Sequence, residues 1–182
     1  RFFLYLHLAD PHTPHRPHEK EAARLGLVVP EDLPEGGMEH YAPLLTRAAG
    51  DPEFGQDHVD ALVPAPHQRW ITDVYDASVA TGDRWVGEFL ERLEDLGLAD
   101  RTIVAFTSDH GEELLERGNL GHGHALFEEL VHVPIILAGP GIPAGIRSET
   151  VVSNRHLAPT LAALGGARLP AVEDAPLPPE GD

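Results

Sequence analysis

At 182 residues the chain is long enough for one domain with a real core, or for part of a larger one, and 42% hydrophobic residues is ordinary for a globular protein. Its formal net charge of −17 argues against nucleic acid, whose backbone needs a basic footprint, and means that for an anionic substrate a bound cation must invert the local sign. The lack of cysteine removes disulfides and thiolate metal sites without fixing a compartment, and no apolar run approaches the roughly 20 residues that span a bilayer.

Arg1 opens directly into F-F-L-Y-L-H-L-A, Phe2 to Ala9, whose length, aromatic content and abrupt end predict a strand. With no signal peptide before that run, the chain is expected to be a fragment. The run ends at D-P-H-T-P-H, Asp10 to His15. Proline pre-sets the backbone and removes donors, so this reads as a rigid loop at a strand end that holds Asp10 and His12 in place. The alternative is a His-rich polar surface loop. A short helix is predicted over Lys20 to Leu25. From about 26 to 66, Pro30, Pro34, Pro43, Pro52, Pro64 and Pro66 interrupt every pattern, and an irregular insertion of short helical turns over one rim of a site is expected.

Gln68 to Leu96 carries apolar residues at spacings of three and four, the mark of a core-facing helix, and Gly97 supplies its stop. Gly82 and Gly87 are its candidate kinks. The apolar run Ile103 to Thr107 then stops at S-D-H-G-E, as a buried strand of a parallel sheet would. Ligands bind beyond the carboxyl ends of such strands. The carboxylate of Asp109 beside the imidazole of His110 suits a divalent-metal site, or else Asp109 caps a following helix. Glu113 to Gly118 reads as a helical turn, and N-L-G-H-G-H as a loosened loop carrying His122 and His124. Val133 to Leu137 is a second buried strand, Val151-Val152 a short last one, and a helix is expected from His156 or Leu157 to Leu164. Pro170 to Asp182 is rich in proline and acid and is expected to be loose.

Taken together and in this order, F-F-L-Y-L-H-L-A-D-P-H-T-P-H, Y-D-A-S-V-A-T-G-D-R-W-V-G, T-S-D-H-G-E-E, H-G-H-A-L-F-E-E, V-H-V-P-I-I-L-A-G-P-G and L-A-P-T-L-A-A-L-G-G resemble the sulfatases of the alkaline-phosphatase superfamily. The resemblance implies a three-layer α/β/α fold with a mainly parallel sheet, present here as a partial domain over residues 1–166 with a tail at 167–182. It implies cleavage of small-molecule or glycan sulfate esters with a divalent cation, calcium first and manganese, magnesium or zinc as alternatives. By position, Asp109 and His110 look like metal ligands. His12 matches the histidine that faces the transferred group and its leaving oxygen. His122 stands where many relatives place a basic residue on the sulfate, with His124 as the fallback and Asp10 as a support on the substrate side.

Two features depart from the family pattern. The C-x-P-S-R motif, whose Cys or Ser becomes the formylglycine nucleophile, does not occur in these residues, so the isolated chain is expected to be inactive. His156 stands where relatives usually place Asp. A phosphodiesterase, phosphonate monoester hydrolase or phosphoethanolamine-type transferase of the same superfamily is the alternative. A non-catalytic paralogue that binds anions or glycans is the reading from another class.

Overall fold

The computed structural model describes residues 2–48 and 56–167; the expected loose tail lies outside the described residues. In chain order the elements are α1 (Glu19–Leu25), α2 (Met38–Ala48), α3 (Gln56–Leu62), α4 (Ala65–Asp95), β1 (Val104–Thr107), β2 (Glu113–Leu114), β3 (Leu120–Gly121), α5 (Glu128–Val131), β4 (Ile135–Ala138) and α6 (Leu157–Leu164). The described residues divide into two compact units, one of 2–48, 56–91 and 110–132 and the other of 92–109 and 133–167.

In the first unit the core is helical. Met38, Tyr41 and Leu45 of α2, Val59 of α3, Val63 just beyond it, and Ile71 and Val74 of α4 bury together with Leu115 and Leu120. The region read as an irregular rim therefore supplies much of this core. Pro43 sits inside α2 without ending it, and the apolar spacing of Tyr41, Leu45, Val59 and Val63 outweighs the local breakers because burying each such side chain is worth roughly 1.5–3 kcal/mol. From this core a polar chain leads out to the surface, from buried Tyr41 and His67 to exposed Asp32. The Tyr41 hydroxyl donates to His67 Nδ1, and His67 Nε2 donates to Asp32 at 3.0 Å. That hydrogen bond holds the Asp32 carboxyl below its ordinary range, while burial pushes the Tyr41 phenol up.

The helix α4 runs uninterrupted through Gly82 and Gly87, so neither breaks it. At Gly82 an added Cβ would lie 3.7 Å from the Asp10 carbonyl oxygen, an ordinary van der Waals contact by which the D-P-H loop lies against α4. One residue earlier, Thr81 Oγ1 accepts the His18 N–H at 2.9 Å while donating to Ala77 O. His18 in turn caps α1 through Nδ1, and Glu21 of α1 pairs with Arg24 and with Arg84 of α4.

Three predicted elements are absent. Phe2 to Ala9 forms no strand: it has no ladder partner among the described residues, and Phe2 to Leu6 stay largely exposed. A strand cannot exist without a neighbour to take its N–H and C=O groups. Val151-Val152 forms none for the same reason. Glu113 to Gly118 is no helical turn. Instead β2 pairs antiparallel with β3, and Leu115 takes φ 82°, which places its side chain in the core and forbids a right-handed helix there.

In the second unit β1 pairs antiparallel with β4, Val104 opposite Ala138 and Thr107 opposite Ile135. Both sheets among the described residues are thus antiparallel pairs, with no parallel pairing among those residues. Nor is the strand covered on both faces, since Phe106 and Ile136 are exposed. The predicted strand and helix positions otherwise hold at β1, β4, α1, α4 and α6.

Candidate active site

Three imidazoles from three separate segments meet in the first unit. The His12 ring lies 5.0 Å from that of His122 and 6.3 Å from that of His110, centroid to centroid, and His110 and His122 are 4.0 Å apart with their planes tilted by 30°. The cis Asp10–Pro11 and Thr13–Pro14 peptides shape the loop that carries His12.

Each of the three rings has the same nitrogen committed. His12 Nδ1 lies 2.7 Å from Thr13 O, His110 Nδ1 2.8 Å from Gly111 O, and His122 Nδ1 2.9 Å from Glu112 Oε1. A carbonyl or an ionised carboxylate only accepts, so Nδ1 must be the protonated nitrogen in each case. For His12 and His122 that leaves Nε2 to act on an incoming group. It is a lone pair in the neutral ring and a donor in the cation.

One acidic residue supports this cluster and a second holds the hairpin beside it, and only their chemistry, not their spacing, could have suggested it. The Glu112 side chain is nearly buried beneath His122. Glu113 is fully buried. It accepts the Arg117 and Asn119 N–H groups on Oε1 at 3.1 and 3.0 Å, and its Oε2 lies 2.7 Å from His124 Nε2. His124 is therefore engaged in holding the hairpin, and His122 is the imidazole that joins the cluster. Gly111 is the closest backbone approach: its N–H donates to Leu130 O at 2.8 Å, and a Cβ there would lie 2.0 Å from Glu129 O.

Asp109 is exposed and belongs to the second unit. In that unit Asn154 spans from the turn before α6 to the end of β1, donating from Nδ2 to Ser108 O at 2.8 Å, with its Oδ1 accepting from Thr107 Oγ1 at 3.3 Å. Asn154 carries no motif signal and was not foreseen. His156, beside it, buries Nδ1 without a hydrogen-bond partner; nothing in the structure explains its replacement of Asp. Asp10 meets α4 through its backbone carbonyl.

Carboxylate and imidazole are the donor types a divalent cation takes, but no group of three or more such side chains is placed to hold one among the described residues. Asp109 and His110 are two donors, well short of the six to eight oxygens calcium takes.

Solved structures share this architecture. That of BT4656 in complex with its substrate D-glucosamine-2-N, 6-O-disulfate matches with TM-score 0.54 at 28% identity, over 72% of this chain and 26% of that one. The phosphonate monoester hydrolase SpPMH from Silicibacter pomeroyi matches with TM-score 0.59 at 20% identity, over 83% of this chain and 33% of that one, a likeness of fold alone. The fold class is therefore the α/β one of alkaline-phosphatase-like sulfatases, here as a partial domain. Residues 1–167 match the Sulfatase family model, and the chain belongs to the sulfatase family. Iduronate 2-sulfatase of Homo sapiens is 31% identical over 212 residues, covering 93% of this chain and 36% of that protein. Arylsulfatase K of Xenopus laevis is 38% identical over 102 residues, 56% of this chain and 19% of that protein. The chain thus spans about a fifth to a third of these relatives. Membership implies a divalent cation in the complete site.

Proposed function

We propose that this chain supplies the histidine face of an active site that hydrolyses sulfate esters of small molecules or glycans. The observation that carries the reading is the meeting of His12, His110 and His122, each with Nδ1 fixed by an oxygen acceptor. Segments about a hundred residues apart do not converge their imidazoles for surface solvation. In this reading Nε2 of His122 holds a sulfate oxygen, and Nε2 of His12 delivers a proton to the leaving alcohol oxygen. Glu112 keeps the His122 ring turned to present that nitrogen.

A divalent cation, calcium first, belongs to the reading through S-D-H-G, with Asp109 and His110 as the ligands this chain would give it. When bound, it supplies positive charge against the ester oxygens. The nucleophile would come from a C-x-P-S-R segment, so these 182 residues alone should release no sulfate above the background of metal ion.

The test is sulfate release from a sulfated monosaccharide, with the chain joined to that segment. His12→Ala and His122→Ala should each lower kcat by roughly 10²–10⁴, the usual worth of a positioned acid or donor. Turnover indifferent to both substitutions would overturn the assignment. Turnover by the 182 residues alone would overturn the division of labour.

A further inference from the structure

The ladder between β1 and β4 stops at Thr107, opposite Ile135. At the next residue a side chain takes over from the strand. Asn154 Nδ2 donates to Ser108 O at 2.8 Å, and its Oδ1 lies 3.3 Å from the Thr107 hydroxyl. A carbonyl oxygen only accepts, so the amide nitrogen must face Ser108 and the amide oxygen Thr107. Asn154 is itself set on braced backbone. In the turn that it opens, the His156 N–H donates to Ser153 O at 3.0 Å, and Thr160 of α6 donates from Oγ1 to His156 O at 2.7 Å. The amide thus reaches across 46 positions of sequence, from a turn fixed on α6 to the carboxyl end of a strand. All of these residues belong to the second unit.

We propose that Asn154 is the positioning residue for Asp109, setting the direction in which the chain leaves β1 and so where the Asp109 carboxylate meets a divalent cation. It rests on the sulfatase reading only for the cation. The argument is one of covalent geometry. Ser108 C=O and Asp109 N–H belong to one planar peptide group, which also contains the Asp109 Cα. Holding the Ser108 oxygen therefore orients the plane from which the Asp109 side chain springs. Asp109 is exposed, so its placement comes from this backbone and not from burial. A carboxylate placed in advance gives up less freedom on binding, which is why removing a partner that orients a metal ligand typically weakens binding about 10–100-fold. The Thr107 contact matters less, because that hydroxyl lies 3.3 Å from Ser108 O as well as from Asn154.

The test uses the chain joined to its C-x-P-S-R segment, stripped of metal with a chelator and titrated with calcium by calorimetry. Asn154→Leu, which removes both contacts at nearly constant size, should raise the calcium Kd about 10–100-fold. Thr107→Val, which leaves the amide on Ser108 O, should raise it about threefold at most. At saturating calcium, kcat and KM of Asn154→Leu should return to the parent values. A bond that serves stability alone would leave the calcium Kd untouched, or lower kcat at every calcium concentration; either result overturns the proposal. Asn154→Asp keeps the shape and separates position from charge, and it replaces the leucine variant should that one fail to fold. Its added charge alone would tighten calcium, so weaker binding reports the lost hold on Ser108, and equal or tighter binding overturns the proposal. Calcium affinity that depends on Asn154 in a protein that releases no sulfate keeps the positioning role and removes the sulfatase reading; sulfate release with a calcium affinity indifferent to Asn154 does the reverse.

Discussion

Replacing Gly111 by Ala adds one methyl group where the backbone has no room for it. The new Cβ would stand 2.0 Å from Glu129 O, 3.0 Å from the Glu129 carbonyl carbon and 3.4 Å from Leu130 Cα. The neighbour is backbone, so no side chain can swing aside. The two segments must part by more than an ångström, and the Gly111 N–H to Leu130 O bond of 2.8 Å stretches or breaks with them. Overpacking costs about 1–3 kcal/mol and the bond about 0.5–1.5 kcal/mol, so a loss of about 2–4 kcal/mol is expected. The φ of Gly111 is not in the left-handed region, which makes the penalty purely steric. Gly87→Ala is the matched control: it lies inside α4 with nothing within 4 Å of an added Cβ, and it should stabilise by about 0.5–1 kcal/mol. Urea unfolding with both slopes unchanged gives the two differences directly. If Gly111→Ala costs under about 0.5 kcal/mol, the close approach described here is wrong.

Three further outcomes follow from the site. Glu113→Leu strands two backbone N–H groups and His124, so urea unfolding should show a loss of about 3–5 kcal/mol, with Glu113→Gln losing less because one oxygen remains. Glu112→Leu should free the His122 ring, lowering kcat about tenfold or more with little change in KM, whereas Glu112→Gln, whose amide oxygen still accepts from Nδ1, should restore most of it; the ¹⁵N shifts of His122 report the tautomer independently of activity. Burial lowers the folded-state pKa of His15, so the unfolded chain binds its proton more readily. Stability should fall as pH drops below about 6.5, through the window down to the lowered folded value, and His15→Leu should remove that part of the slope.

How far the sequence foretold this depended on where each residue finds its partners. α4 and α6 carry their own evidence in spacing and stop signals, because a helix satisfies its backbone within itself. β1 and β4 were legible from apolar runs bounded by Gly and Asp. Phe2 to Ala9 has the composition of a strand but no ladder partner here, and composition cannot supply a neighbour. The 26–66 stretch misled through its prolines, since the burial of Tyr41, Leu45, Val59 and Val63 is a tertiary effect that local breakers do not report. In the site, the motifs pointed to His12, His110 and His122. Glu112 under His122 and Glu113 in the hairpin were invisible because a buried carboxylate and a solvated one are the same letter.

The helix α4 spans about 46 Å at 1.5 Å per residue, and its first unit portion carries successive attachments: Trp70 against Gly37, Tyr75 against His15, Thr81 on the His18 N–H, Gly82 beside Asp10, Arg84 on Glu21. At 100° per residue these attachments spread over about half of the helix circumference, so α4 is held from more than one side. Deleting a single residue between Trp70 and Thr81 would rotate everything downstream by about 100° and unseat the His18 N–H and the loop of His12 in one step. Length variation among related chains should therefore collect in the Leu27 to Gly37 connection, while the interval from Trp70 to Arg84 keeps its count of residues even where their identities change.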